Sequence, residues 1–156
     1  MKEWKAEILS IGTEILLGNI VNTNAAYLSR ELAALGVLVY HQEVVGDNSE
    51  RLEHALKESF ARADIVITTG GLGPTTDDLS KETAARYFGC RLVRDQKAME
   101  DMRRMMEHAG RKMTPNNDKQ ADLPEGSIPL YNPNGTAPGF ILEKDEQILI
   151  MMPGPP

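Results

Sequence analysis

The sequence predicts an α/β domain whose central sheet is mostly parallel. Three observations predict it. The first 90 residues alternate strand and helix patterns three times, the signature of a parallel sheet joined by right-handed crossovers. Residues 64–78, DIVITTGGLGPTTDD, run from a β-type stretch through a glycine turn into a helix start. The length of 156 residues suffices for one domain with its own core.

The elements follow in chain order. Residues 6–11, AEILSI, form the first strand, and residues 12–19 form a loop bounded by glycines. Asn22 or Thr23 caps a helix running to Leu35, with Leu28, Leu32 and Leu35 on one face and Gly36 as its stop. Residues 37–45 are the second strand. Asn48 or Ser49 then caps a helix in which Leu52, Ala55, Leu56, Phe60 and Ala63 keep helical spacing. Residues 65–69, IVITT, read as a buried parallel strand, and residues 79–88 as a helix stopped by Gly89. Leu92 and Val93 begin a short strand. Asp95 caps a helix over 96–109, where Met99, Met102, Met105 and Met106 mark either core or an oligomer face. Thr114 and Pro115 open a short helix to Ala121. Residues 123–126 read as a turn, 128–131 as extended, and 132–139 as a loop that either connects or wraps a ligand with main-chain groups. Residues 140–143 and 147–152 form a hairpin joined by Lys144, Asp145 and Glu146. Pro155 and Pro156 suit a loop leading into a helix, so the single domain, residues 1–156, is expected to be cut at its carboxyl end.

Charge limits the function. With 17 basic against 23 acidic residues the net charge is −6, which argues against a general binder of nucleic acid or anionic membrane. Cys90 is the one cysteine, so no internal disulfide forms. No signal peptide opens the chain, and no run approaches the roughly 18 apolar residues of a membrane span. These features suggest a cytoplasmic protein.

In a parallel α/β sheet, ligands sit beyond the carboxyl ends of the strands. Three loops there deliver Thr13, Glu14, Asp47, Asp77 and Asp78 to one edge. The glycine turn after the third strand offers backbone N–H groups to an anion, and its missing Cβ atoms let a phosphate approach. Carboxylates repel phosphate, so Asp77 and Asp78 beside such a turn call for a divalent metal between them. The competing reading is that Asp78 caps the helix and Asp77 is solvated.

Seven segments resemble the N-terminal domain of the competence/damage-inducible CinA family, within the molybdopterin-binding (molybdenum-cofactor biosynthesis) superfamily. They are IGTEILLG at 11–18, NTN at 22–24, VGDN at 45–48, TGGLGPTTDD at 69–78, KQADLP at 119–124, NGTAPG at 134–139 and MPGPP at 152–156. Asn48 and Ser80 depart from the family pattern, which allows a second acid and a threonine there; Asn48 removes one possible metal ligand.

The resemblance implies a three-layer α/β/α fold with a mostly parallel sheet and a C-terminal hairpin. It also implies a metal-dependent ADP-ribose pyrophosphatase that yields AMP and ribose 5-phosphate. On that reading Asp47, Asp77 and Asp78 hold divalent ions (Mg, Mn or Co, with a monovalent cation as an optional companion). Asp47, Asp78 and Glu14 carry the catalysis. Gly12, Thr13, Asn24, Lys119, Asn134, Gly135, Pro138, Gly139, Pro153 and Gly154 contact phosphate or sugar, as do Gly70, Gly71, Leu72, Gly73, Pro74 and Thr75. The partner is a nucleoside diphosphate sugar, and the domain self-associates as a dimer or trimer. Full-length relatives add a C-terminal nicotinamide-mononucleotide deamidase domain, whose activity is not assigned to residues 1–156. Two alternatives stay open: a domain that binds or adenylylates molybdopterin, and a non-catalytic nucleotide-binding or oligomerisation module.

Overall fold

The computed structural model describes residues 1–154. Strand β1 (Lys5–Ile11) leads into a single helical turn, α1 (Thr13–Leu16), where the sequence suggested an open loop. The Leu17 N–H donates to the Thr13 carbonyl at 3.0 Å, closing that turn. Helix α2 (Thr23–Ala34) starts at Asn22, whose side chain accepts from the Ala25 N–H at 3.2 Å. Strand β2 (Leu38–Val45) precedes helix α3 (Ser49–Arg62), capped in the same way by Asn48. Strand β3 (Ile65–Thr69) and helix α4 (Ser80–Phe88) complete the third alternation, with Gly89 as a left-handed C-cap.

The remainder comprises β4 (Leu92–Arg94), α5 (Gln96–His108), α6 (Pro115–Asp118), a 3-10 turn (Lys119–Ala121), β5 (Asp122–Pro124), β6 (Ile128–Leu130), β7 (Gly139–Lys144) and β8 (Gln147–Met152). Two sequence readings change here, and the methionines of α5 take the core alternative. Leu123 and Pro124 are not a turn: they pair with Leu92 and Val93 as antiparallel strands, and an Arg94–Asp122 ion pair closes the end. Lys144 belongs to β7, pairing with Gln147, so the hairpin turn is only Asp145 and Glu146, both at positive φ. Three of the four α5 methionines turn inward: Met102 is buried, and Met99 and Met106 pack around it with Ala98, Ala121 and Met113. Pro155 and Pro156 lie outside the described residues.

The main sheet has the order β2-β1-β3-β8-β7-β6. Strands β2, β1, β3 and β8 are parallel, while β7 is antiparallel to β8 and β6 to β7. Two reversals return β6 to the direction of β8. The carboxyl ends of β1, β2, β3, β8 and β6 therefore share one edge.

Alternation along the strands sorts the core into two layers. Leu9, Val66, Leu149 and Phe140 pack with Leu52, Leu56, Phe60 and Phe88 of α3 and α4. Ala6, Ile8 and Ile67 face Ala25 and Leu32 of α2. Each fully buried Leu, Ile or Phe contributes roughly 1.5–3 kcal/mol. A helix layer thus lies on each face, giving the α/β/α architecture. On the α2 face, register aligns Ile8, Ile67, Ile150, Ile141 and Ile128 in one row across five strands. Its first two members are buried and its last is 56% exposed, so the cover thins toward β6.

Glu7, only 3% exposed in β1, is held by a two-pronged pair to Arg62 of α3 at 2.7 and 2.9 Å. Burial alone would push the Glu7 carboxyl up; the Arg62 guanidinium overrides it and holds Glu7 below the ordinary carboxylate range. Among the described residues no helix is long and apolar enough to cross a membrane.

Candidate functional site

The shared sheet edge carries a cavity of about 870 Å³. Five strand ends and their loops build its wall. Ile11 and Glu14 come from the end of β1, Asp47 from the β2–α3 loop, and residues 70–75 with Asp77 and Asp78 from the β3–α4 loop. Met152, Pro153 and Gly154 continue β8, and residues 130–137 with Gly139 close the far side between β6 and β7. The size lies within the usual range for a drug-sized ligand or a nucleotide.

Most of the residues singled out in the sequence meet here. Glu14, Asp47, Asp77 and Asp78 all line the cavity, as do Gly70, Gly71, Leu72, Gly73, Pro74, Thr75, Asn134, Gly135, Gly139, Pro153 and Gly154. Others stand behind the wall. Thr13 exchanges two bonds with Asp47: its N–H donates to Asp47 Oδ2 at 3.1 Å and its Oγ1 accepts from the Asp47 N–H at 3.2 Å. Gly12 sits under Glu14, whose Oε1 lies 2.6 Å from where a Cβ at position 12 would be. Asn24 lies in the first turn of α2, and Pro138 faces a small neighbouring pocket against α5. Lys119 reaches the back of the glycine turn, its Nζ donating to the Thr75 carbonyl at 3.4 Å.

Asp78 does not cap α4. Leu79 occupies that position without a side-chain bond. The Asp78 carboxylate turns back instead and accepts from the Thr75 N–H at 2.9 Å and the Thr75 hydroxyl at 2.5 Å. Both bonds use Oδ2, which leaves Oδ1 for another partner.

The glycines serve a purpose other than the one their sequence pattern suggested. Gly70 and Gly71 have φ of +101° and +72°. A Cβ at 70 would lie 2.1 Å from the Ile11 carbonyl oxygen, and one at 71 would lie 1.8 Å from Ser80 Oγ. The missing side chains make room for the protein's own β1 end and α4 start, not for a phosphate. What the turn offers a ligand is its amides. Among the described residues the N–H groups of Gly71, Leu72 and Gly73 donate to no protein acceptor.

Sequence reasoning passed over three residues. Gln120 is 3% exposed, lines the cavity, and donates from Nε2 to the Leu72 carbonyl at 3.4 Å. Lys81, buried at the start of α4, donates to the carbonyl of Lys119. Tyr131 brings an aromatic ring to the wall. Only Gln120 had a signal, its place beside Lys119 in the KQADLP string; the others depend on contacts 36 or more residues away.

The electrostatics are one-sided. The wall holds four carboxylates and, among the described residues, no lysine, arginine or histidine. An anionic ligand entering alone would meet net repulsion. Among the described residues no group of three or more His, Cys, Asp or Glu stands ready to hold a metal ion. An all-protein cage is therefore not what the site provides. Asp47 and Asp78, each tied through one oxygen, suit a hard cation of the Mg²⁺ type, which takes one or two carboxylates, keeps water and shares phosphate oxygens.

The family model described as "Probable molybdopterin binding domain" matches residues 7–156. The chain is 55% identical over 152 residues to a protein named competence-damage inducible from Clostridium beijerinckii, and 56% identical over 152 residues to one from Clostridioides difficile. Each match covers 97% of this chain but only 37% and 36% of those relatives, so the chain spans little more than a third of their length. Among solved structures, the protein CinA from Thermoplasma acidophilum superposes with a TM-score of 0.87 at 35% identity, covering 97% of this chain and 89% of that one. The tungsten cofactor synthesizing protein MoaB from Pyrococcus furiosus superposes at 0.62 with 20% identity, covering 99% and 84%, a likeness of fold alone.

Proposed function

Because the chain belongs to the probable molybdopterin binding domain family, in its CinA branch, we propose that it hydrolyses ADP-ribose to AMP and ribose 5-phosphate with the help of a divalent metal. One observation carries this reading: among the described residues, four carboxylates and no basic side chain line a cavity whose glycine turn presents unpaired amides. Those amides suit phosphate oxygens and the carboxylates suit cations, so the pairing fits a metal-bearing diphosphate better than either alone.

Asp47 and Asp78 would hold Mg, Mn or Co, with Asp77 beside them; such an ion neutralises the diphosphate and lowers the pKa of water. Thr13 and Thr75 fix those two carboxylates through one oxygen each, leaving the other free. The amides of Gly71, Leu72 and Gly73 face the charge that grows on the phosphoryl oxygens as the water oxygen bonds to phosphorus and the bridging P–O bond breaks. Glu14, which lines the same cavity, would accept the proton released by the water. The loop carrying Asn134 and Gly135 supplies main-chain contacts to sugar.

The test incubates the protein with ADP-ribose and other nucleoside diphosphate sugars, each with Mg, Mn or Co and again with excess chelator. AMP is detected by chromatography. AMP formation that needs the metal supports the proposal; its absence with every substrate and metal overturns it. The family's description as a probable molybdopterin binding domain supports a second reading, in which the same cavity takes a molybdopterin-type pterin. Consumption of ATP only when such a pterin is present would favour that reading.

A further inference from the structure

Among the described residues, Tyr131 is the only aromatic one lining the cavity. It follows β6 at the same sheet edge as the glycine turn after β3. The strand order puts three spacings between them, about 14 Å. The phosphate-type amides and the ring thus occupy opposite ends of one cavity.

The ring is held in place. Its hydroxyl donates to Asp95, 3.2 Å from Oδ1 and 3.1 Å from Oδ2. Asp95 is itself fixed, accepting from the Ala98 N–H at 2.7 Å as the cap of α5. Lys97 places its ammonium 4.6 Å from the ring centroid, a cation–π contact. Yet the residue remains 40% exposed. An aromatic ring anchored at its tip and attended by a cation, with free area beside a cavity, is preorganised: little side-chain freedom is left to lose when a flat partner settles on it.

Resting on the reading that a nucleotide occupies this cavity, we propose that Tyr131 is the platform on which the ligand's planar heteroaromatic ring stacks while its diphosphate lies at the β3 turn. The residue sets specificity and takes no part in bond breaking. A nucleoside diphosphate laid along the edge meets amides at one end and the tyrosine at the other.

Calorimetric titration of the 156-residue chain, with magnesium present, tests this using two probes, ADP and inorganic pyrophosphate. Only ADP carries a base. Tyr131→Ala is expected to weaken ADP roughly 5- to 100-fold, the range for one base–aromatic stack, and to leave pyrophosphate unchanged. Tyr131→Phe keeps the ring, loses the Asp95 anchor, and is expected to stay within about threefold of the parent for ADP. If Tyr131→Ala weakens both probes equally, or neither, the stack is overturned. If Tyr131→Ala fails to fold, Tyr131→Leu keeps apolar bulk without the π face and must give the same selective loss. A parent that binds pyrophosphate and ADP with equal affinity overturns the stack alone. A parent that binds neither overturns the nucleotide reading and the stack with it.

Discussion

Replacing Lys81 with methionine should make the protein more stable at neutral pH and less so in alkali. Lys81 is only 7% exposed, and its ammonium has the Lys119 carbonyl as hydrogen-bond acceptor. Burial drives its pKa from the ordinary 10.5 down to about 8, against the pull of Glu82 and Asp122. A fall of that size corresponds to about 3 kcal/mol of penalty on the charged folded state. Below pH 8 both folded and unfolded chains carry the proton, so the penalty is present in full. Between pH 8 and 10.5 the unfolded chain holds a proton that the folded chain has released, so parent stability climbs. Above 10.5 the penalty is gone. Lys81→Met removes it at every pH, while losing a hydrogen bond of about 1 kcal/mol. The net gain is about 2 kcal/mol at pH 7, several degrees in melting temperature, turning into a loss of about 1 kcal/mol above pH 10.5. Urea unfolding of both proteins by circular dichroism at pH 7 and pH 10.5 measures the difference. The same variant frees the turn that carries Lys119 and Gln120 onto Thr75 and Leu72, so pyrophosphate binding should weaken severalfold. A stability difference that does not change with pH would refute the reasoning.

Three further outcomes are expected. Asp78→Asn keeps an oxygen for the Thr75 N–H, so stability should change by no more than about 1 kcal/mol, while metal-dependent ADP-ribose turnover drops about a hundredfold or more. Turnover at the parent rate would remove Asp78 from the mechanism. Arg62→Ala strands the buried Glu7 carboxylate and should lower stability in denaturant unfolding. Because Glu7 is held below its ordinary 4.5, its contribution stands above that pH and fades as pH falls through the lower folded value; in the variant the loss should begin at higher pH, checked by unfolding across pH 3 to 7. Exchanging Asp145-Glu146, at φ of 51° and 64°, for Asn-Gly should raise stability by about 1 kcal/mol, seen as a higher melting temperature.

What could be read from residues alone was governed by local chemistry. Ile65–Thr69 forms the strand its composition suggested, Asn22, Asn48, Asp95 and Thr114 cap the helices they precede, and Gly89 ends α4. The gathering of Glu14, Asp47 and Asp78 followed from topology, since parallel strands place their exits together. The errors arose where a distant partner decided. Residues 123–126 read as a turn, yet Pro124 sits at the end of a two-stranded ribbon whose other half lies about 30 residues earlier. Asp78 had a helix start beside it and chose Thr75 because the turn brings that hydroxyl and amide back within reach. Tyr131 gave no sign of its role, because the Asp95 that pins it lies 36 residues away.

The crowding around positions 70 and 71 determines which experiments can interrogate the turn. An alanine scan there would drive a methyl group into Ile11 or Ser80 and report misfolding, whatever the ligand. Side-chain mutagenesis is blind to the atoms proposed to touch phosphate, since those belong to the main chain. An amide-to-ester exchange at Leu72 or Gly73, made by semisynthesis, deletes one donor while leaving every side chain in place.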